Sequence, residues 1–258
     1  MTTTFHEIPA WRTERLSQIR AGVTLGFVPT MGALHEGHLS LVRRSRAEND
    51  RTLVSIFLNP TQFDNPADLA GYPRTLDADI DALKSEHTDF VLLPSAADLY
   101  PDAYRFRVRE LDLSAALEGA HRPGHFEGVL TVVLKLLNIA SADRAYFGEK
   151  DWQQLTLVGQ MATAFFLPTT IVGCETIRDP DGLAQSSRNR RLSVADRQRA
   201  PMFHKVLASA PSAEAAADDL RKSGFAVDYV EDRDGRRLGA VRLGDIRLID
   251  NVPVDIIR

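Results

Sequence analysis

The sequence predicts an α/β protein: a doubly wound parallel sheet of the Rossmann-like kind, followed by a small C-terminal α+β domain. Three observations carry the prediction. Short apolar or β-branched runs alternate with helical patterns over the first ~175 residues, and several runs end at Pro, Gly or Asn just before a polar loop. Past Cys174 the texture changes to an alanine- and charge-rich stretch and then short strands. At 258 residues the chain is long for one core, and the expected partition is 1–176 and 177–258.

Taken in order, Arg12 to Ile19 reads as a short opening helix and Val23 to Val28 as a buried strand that stops at Pro29. After the loop from Thr30 to Leu34, the segment from His38 to Asn49 places Leu39, Val42 and Arg46 at helical spacing, and Thr52 to Leu58 is again strand-like. Two strands joined by such a helix lie parallel with a right-handed crossover. A helix over Leu76 to Leu83, a strand over Asp89 to Leu93 and a largely buried helix over Gly128 to Ile139 follow. Arg144 to Phe147 is the next strand, then come a helix from Trp152 to Phe165 and a strand from Thr169 to Val172. In the C-terminal part, Ala195 to Ala217 is broken at Pro211, and short strands are expected at Ala226 to Val230, Ala240 to Leu243 and Arg247 to Ile249.

Composition narrows the partners. With 31 Lys+Arg against 35 Asp+Glu the formal charge is −4, so no overall field draws nucleic acid or an anionic membrane. The single cysteine, Cys174, forms no internal disulfide and no cysteine-rich zinc site. The amino terminus lacks the basic start and apolar stretch of a signal peptide, and the apolar run Val129 to Ala140 is too short to span a bilayer. A soluble, cytoplasmic protein without membrane or nucleic-acid partners is expected.

In open parallel sheets, ligands bind outside the carboxyl ends of the strands, which directs attention to the loops there. The first strand delivers Pro29 to His38, the second Asn59 to Gln62, and a later one Gly148 to Asp151. There is no Gly-x-Gly pair and no Gly-Lys-Ser/Thr loop, so the usual phosphate cradles are absent. What remains is His35-x-x-His38 at a helix start, where two imidazoles and free backbone N–H groups suit an anion. Helix capping is the competing reading of that pair. Zinc fits poorly, because the metalloprotease pair is spaced by four and Gly37 interrupts the turn. A second cluster, Asp181 to Ser193, offers Ser186, Ser187 and Arg188 for polyphosphate, or else it is a basic linker before a helix capped by Ser193.

Together these motifs carry a resemblance. His35-Glu36-Gly37-His38 with a later Ser-Ser-Arg loop resembles the nucleotidyl-transferring superfamily whose hallmark is the HIGH motif. Several stretches are similar to the pantoate-β-alanine ligase (pantothenate synthetase) family: the run Pro29 to His38, Asn-Pro-Thr-Gln-Phe from Asn59, Tyr-Pro-Arg-Thr-Leu from Tyr72 and Arg-Pro-Gly-His-Phe from Arg122. So are the run Phe147 to Leu155, Asp-Gly-Leu-Ala-Gln-Ser-Ser-Arg-Asn from Asp181 and Arg-Leu-Ile-Asp-Asn from Arg247. The resemblance spans nearly the whole chain.

It implies an AMP-forming ligase: ATP adenylates (R)-pantoate with loss of diphosphate, and β-alanine attacks the adenylate to give pantothenate. By position it implies an ATP site of Met31, Gly32, Ala33, Leu34, His35, Glu36, Gly37 and His38, with Gly148, Glu149, Lys150 and Asp151, and with Ile177, Gln185, Ser186, Ser187 and Arg188. His38, His35, Lys150 and Arg188 are the implied catalytic groups. Gln62, Gln154, Asn59 and Arg122 are implied for pantoate, Gln62 also for β-alanine, and His125 lies in a motif near that pocket. Asp79 is implied at a magnesium ion and the assembly as a homodimer; because an exposed acyl-adenylate would hydrolyse, the second domain is expected to act as a lid. Gln185 departs from the Met or Leu usual before Ser-Ser-Arg. A different nucleotidyltransferase would share the histidine loop but would not need Asn59, Gln62 and Gln154 together.

Overall fold

The structure, a computed structural model, describes residues 2–254. The chain divides into two units: residues up to Glu149 with Gln153–Cys174, and Lys150–Trp152 with the residues from Glu175 on.

The first unit is built on six parallel strands, β1 (Thr3–Phe5), β2 (Leu25–Thr30), β3 (Arg51–Ile56), β4 (Phe90–Leu92), β5 (Arg144–Gly148) and β6 (Thr170–Cys174), in the order β1-β4-β3-β2-β5-β6. Its helices are α1 (Ile8–Arg20), α2 (Glu36–Glu48), α3 (Pro66–Ala70), α4 (Leu76–Ser85), α5 (Ala96–Leu99), α6 (Glu118–His121), α7 (His125–Ala140) and α8 (Trp152–Ala164), whose first residue falls in the second unit. Strand residues alternate between faces. Phe27, Leu53, Ala145 and Phe147 join Trp11 of α1 and the apolar side of α7 in one core layer. Val28, Val54, Val91 and Tyr146 join Leu41 and Val42 of α2 and Leu83 of α4 in the other. Both faces are therefore covered, as a parallel sheet requires.

The doubly wound sheet expected from the sequence is present. Two features extend it: β1 pairs Thr3–Phe5 with Phe90–Leu92, and the opening helix starts at Ile8, with Pro9 in its first turn. The chain leaves β2 toward β3 on one side and returns to β5 on the other. The sheet's switch point, where ligands collect in such folds, is thus flanked by the carboxyl ends of β2 and β5.

The second unit holds α9 (Val194–Arg199), α10 (Pro201–Ser209), α11 (Ala213–Lys222) and an antiparallel sheet of β7 (Ala226–Arg233), β8 (Arg236–Leu243) and β9 (Ile246–Pro253). Phe203, Leu207, Ala216 and Leu220 from the helices pack with Val241, Leu248 and Val252 of the sheet. Asp234 and Gly235, both at positive φ, make the two-residue turn between β7 and β8. All three strands run longer than the sequence patterns indicate.

Candidate active site

The loop from β2 to α2 carries the histidine motif at the switch point. Thr30 Oγ1 donates to the Ser55 carbonyl at 2.8 Å, tying the strand end to β3. The chain then passes through two consecutive residues at positive φ, Gly32 at +81° and Ala33 at +51°. The N–H groups of Ala33 and of the next residue are caught by α4: Ala33 N donates to Asp79 Oδ2 at 2.9 Å and Leu34 N to Asp79 Oδ1 at 2.8 Å.

Both histidines cap α2. His35 is the N-cap, and its Nδ1 accepts from Gly37 N at 3.1 Å; His38 Nδ1 accepts from His35 N at 3.4 Å. The rings lie 4.1 Å apart, centroid to centroid. Capping and anion binding, alternatives in the sequence, are compatible in the structure. A ring that accepts through Nδ1 carries its neutral-state proton on Nε2, so each imidazole is a fixed Nε2–H donor beside the positive end of a helix.

A second cluster forms around Asn59 and Gln62, on a single 3₁₀ turn over Pro60–Gln62 that Asn59 caps. Asn59, 1% exposed, donates from Nδ2 to Gln62 Oε1 at 3.0 Å and to the Gly128 carbonyl at 3.3 Å. Its Oδ1 accepts from Tyr100 Oη at 2.7 Å. Burial pushes the Tyr100 phenol up to about 12, so it remains a donor at neutral pH. With Oε1 accepting from Asn59, the Nε2–H₂ group is the donor end of the Gln62 amide. His125 Nδ1 donates to the Gln62 carbonyl at 2.8 Å, and Arg122 Nη1 meets His125 Nε2 at 3.1 Å. Arg122 also reaches Asp64 at 3.2 Å, so its guanidinium orders this turn as well as offering charge. Gly128 lets α7 come this close, because a Cβ there would stand 2.3 Å from the Thr61 carbonyl oxygen.

Two adjacent glutamines divide their labour. Gln153 is buried and holds the segment before α6, donating to the Leu113 and Ala116 carbonyls and accepting from Glu118 N. Gln154 is half-buried on α8, and its side chain makes no hydrogen bond to another described residue. Gly148 ends β5 and Glu149 opens the 3₁₀ turn that runs on through Lys150 and Asp151.

In the second unit, Ile177 to Gln185 forms a small hairpin: Gln185 N donates to the Ile177 carbonyl at 2.9 Å and Arg178 bridges to Ala184. Gln185 Nε2 donates to Asp179 Oδ1, which fixes a residue whose type departs from the family pattern. Ser186 caps the next 3₁₀ turn by accepting from Arg188 N; Ser187 is buried there and Arg188 half-buried. Strand β9 braces both the Ile177 to Gln185 hairpin and the Lys150 turn of this unit. Asp250 takes Arg178 in a bidentate pair at 2.6 and 2.9 Å, and Asn251 Nδ2 donates to the Lys150 carbonyl at 3.0 Å. Burial pushes the Asp250 carboxyl up, but His204 and Arg178 outweigh it and leave the group below the usual carboxylate range.

Sequence reasoning missed Tyr100, Gly128, Gln153, Asp250 and Asn251 as organisers of these clusters. A lone glycine inside an apolar helix was the available signal for Gly128; the others depend on long-range pairing. Among the described residues, no group of three or more His, Cys, Asp or Glu lies close enough to hold a metal ion.

The sequence profile of the pantoate-β-alanine ligase family matches residues 2–253. The chain belongs to that family. It is 48% identical over 248 residues to the pantothenate synthetase of Bdellovibrio bacteriovorus, covering 96% of each chain. To that of Cereibacter sphaeroides it is 49% identical over 259 residues, covering 91% of this chain and 93% of the relative. Among solved ligases of the family, the Francisella tularensis enzyme complexed with β-γ ATP and β-alanine superposes with a TM-score of 0.93 at 41% identity, covering 98% of both chains. The Thermus thermophilus enzyme gives 0.87 at 37%, covering 98% of this chain and 99% of that one.

Proposed function

We propose that the protein condenses (R)-pantoate with β-alanine at the expense of ATP, through a pantoyl adenylate, releasing AMP and diphosphate. The observation that carries the reading is the pair of Nε2–H donors at the start of α2, beside the sheet's switch point, in a chain of the pantoate-β-alanine ligase family.

In the first step a pantoate carboxylate oxygen bonds to the α-phosphorus as the bond to the bridging oxygen breaks, and diphosphate leaves with the electron pair. Charge grows on the bridging and non-bridging oxygens, where His38, His35 and the N-terminus of α2 supply donors and, by the family resemblance, Lys150 and Arg188 supply positive charge. We assign the nucleotide to Met31–His38, Gly148–Asp151, Ile177 and Gln185–Arg188. Pantoate falls to Gln62, Asn59, Gln154 and Arg122; amide donors suit its hydroxyls and carboxylate. In the second step the β-alanine amine, near Gln62, attacks the acyl carbon, AMP leaves as the C–O bond breaks, and the nitrogen sheds a proton.

Magnesium, when bound, would offset phosphate charge. The described residues offer no cluster for a resident ion, and Asp79 is committed elsewhere, so the ion belongs with the phosphates of ATP and no step is assigned to it. We infer a cytoplasmic location from the buried, unpaired Cys174 and the ATP requirement, and a homodimer from the family resemblance. Among the described residues no helix is long and apolar enough to cross a membrane.

The test is ligation with pantoate labelled by ¹⁸O in its carboxyl group. AMP and pantothenate are expected only when ATP, magnesium, pantoate and β-alanine are all present, with one ¹⁸O appearing in AMP. AMP formed without pantoate, or unlabelled AMP, overturns the reading.

A further inference from the structure

Asp79 lies in the first turn of α4 and is 4% exposed, yet no basic side chain pairs with it among the described residues. Its partners are neutral donors. Ala33 N and Leu34 N take one oxygen each, and Thr75 Oγ1 adds a bond to Oδ1 at 3.2 Å. Successive backbone N–H groups that converge on one anion form a nest, and here the anion is the protein's own carboxylate.

The nest coincides with backbone strain. Ala33, a residue with a Cβ, sits at φ +51°, directly after Gly32 at +81°. Such conformations persist where surrounding contacts hold them. The loop also lies flat on the carboxylate: a Cβ on Gly32 would stand 3.1 Å from Asp79 Oδ2 and 3.2 Å from Ile56 Cγ2. Two residues further on, His35 begins the cap that orients both imidazoles.

We propose that Asp79 is a positioning residue of the histidine loop and not a metal ligand. Its carboxylate holds Gly32 and Ala33 in the left-handed conformation and so sets where the Nε2 groups of His35 and His38 point. The inference rests on the proposed reading for the catalytic consequence, but its structural half does not.

Asp79→Asn tests it, because an amide keeps the shape but turns an NH₂ group toward one of the two backbone N–H donors. Amide exchange at Ala33 and Leu34, read by NMR, is expected to speed up about tenfold in this variant while the global melting temperature changes little. The turnover number should fall by about 30- to 100-fold, since a small misplacement of catalytic groups costs that much. The magnesium concentration for half-maximal rate should stay within about twofold of wild type, because a ligand's loss would move it and a clamp's would not. Unchanged exchange at Ala33 and Leu34, or a large rise in magnesium requirement whatever the exchange, overturns the proposal. Should Asp79→Asn not fold, Thr75→Val removes only the third bond; faster exchange at the same two amides with a several-fold lower turnover supports the clamp, and no change in either refutes it. The exchange measurement needs no ligase activity, so failure of the clamp and failure of the functional reading are told apart.

Discussion

His38 has two tasks at one ring. Nδ1 accepts the His35 N–H and completes the helix cap, which puts the neutral ring's proton on Nε2. Removing the ring would therefore mix a capping loss with the proposed catalytic one. His38→Asn separates them, because its side-chain oxygen can still accept from the backbone while nothing reaches the position of Nε2. The turnover number of His38→Asn is expected to fall by about 10²-fold or more, the scale seen for loss of one oxyanion donor, with pantoate KM nearly unchanged. Steady-state kinetics against pantoate decide it: equal losses in KM and kcat would make His38 a ground-state contact. At this scale the residue types were legible, since His35, His38, Asn59, Gln62 and Gln154 all stand in recognisable motifs. Their orientation was not. Which amide atom of Gln62 is offered depends on Asn59, and Asn59 answers to Tyr100, 41 residues away.

Helix α7 shows what an element contributes beyond a core face. Its apolar residues fill the layer beneath the sheet, and Gly128 in its first turns removes the side chain that would otherwise hold the Asn59–Gln62 turn away. The atoms a Cβ would strike at Gly128 are backbone, the Thr61 carbonyl and Gln62 N, so a side chain there cannot simply rotate aside. Gly128→Ala is expected to cost about 1–3 kcal/mol through overpacking, which at this size lowers the melting temperature by roughly 2–4 °C per kcal/mol. Pantoate KM should rise about tenfold while ATP KM holds, since a displacement of the Gln62 amide weakens contacts to one substrate only. Calorimetry and kinetics on one preparation check both halves. Periodicity found this helix but not its role, because a pattern of buried positions does not say what lies opposite. The same limit explains the sheet of the second unit. Arg236, Arg237 and Arg242 interrupt the apolar pattern of β8, yet Arg237 is 3% exposed and pairs with Asp232 directly across from it on β7. Strand β1, three residues long, owes its existence to β4 and has too little sequence to announce itself.

Across the whole molecule, a formal charge of −4 conceals how the carboxylates are used. Composition excluded a general field for polyanions, but could not reveal that so many acids are tied to donors, some of them neighbours in sequence and others, as for Asp50, Asp228 and Asp250, far along the chain. Asp250, inside a recognisable motif, answers Arg178 from 72 residues away because strand pairing brings β9 there. Glu48, Asp50, Asp98, Asp102 and Glu110 in the first unit and Asp181, Asp228 and Asp250 in the second all titrate below ordinary carboxylate values. Asp102 is lowered to about 2, first by the Phe106 N–H, against desolvation and with help from Lys135. Carboxyls of this kind bind fewer protons in the fold than in the unfolded chain. Their stabilisation is complete above the unfolded pKa of about 4 and is lost as pH falls through the folded values. Urea midpoints should therefore hold between pH 7 and pH 5 and decline from about pH 4 toward pH 2. Asp250→Asn carries the argument to one group. It leaves the Arg178 guanidinium without its bidentate partner, so the second unit should lose about 3 kcal/mol at pH 7, and the loss should shrink on acidification because the wild-type carboxylate is by then protonated too. Urea unfolding followed by circular dichroism from pH 2.5 to 7 measures both curves. A constant gap between them at every pH would mean that the ionised Asp250–Arg178 pair is not what holds the hairpin.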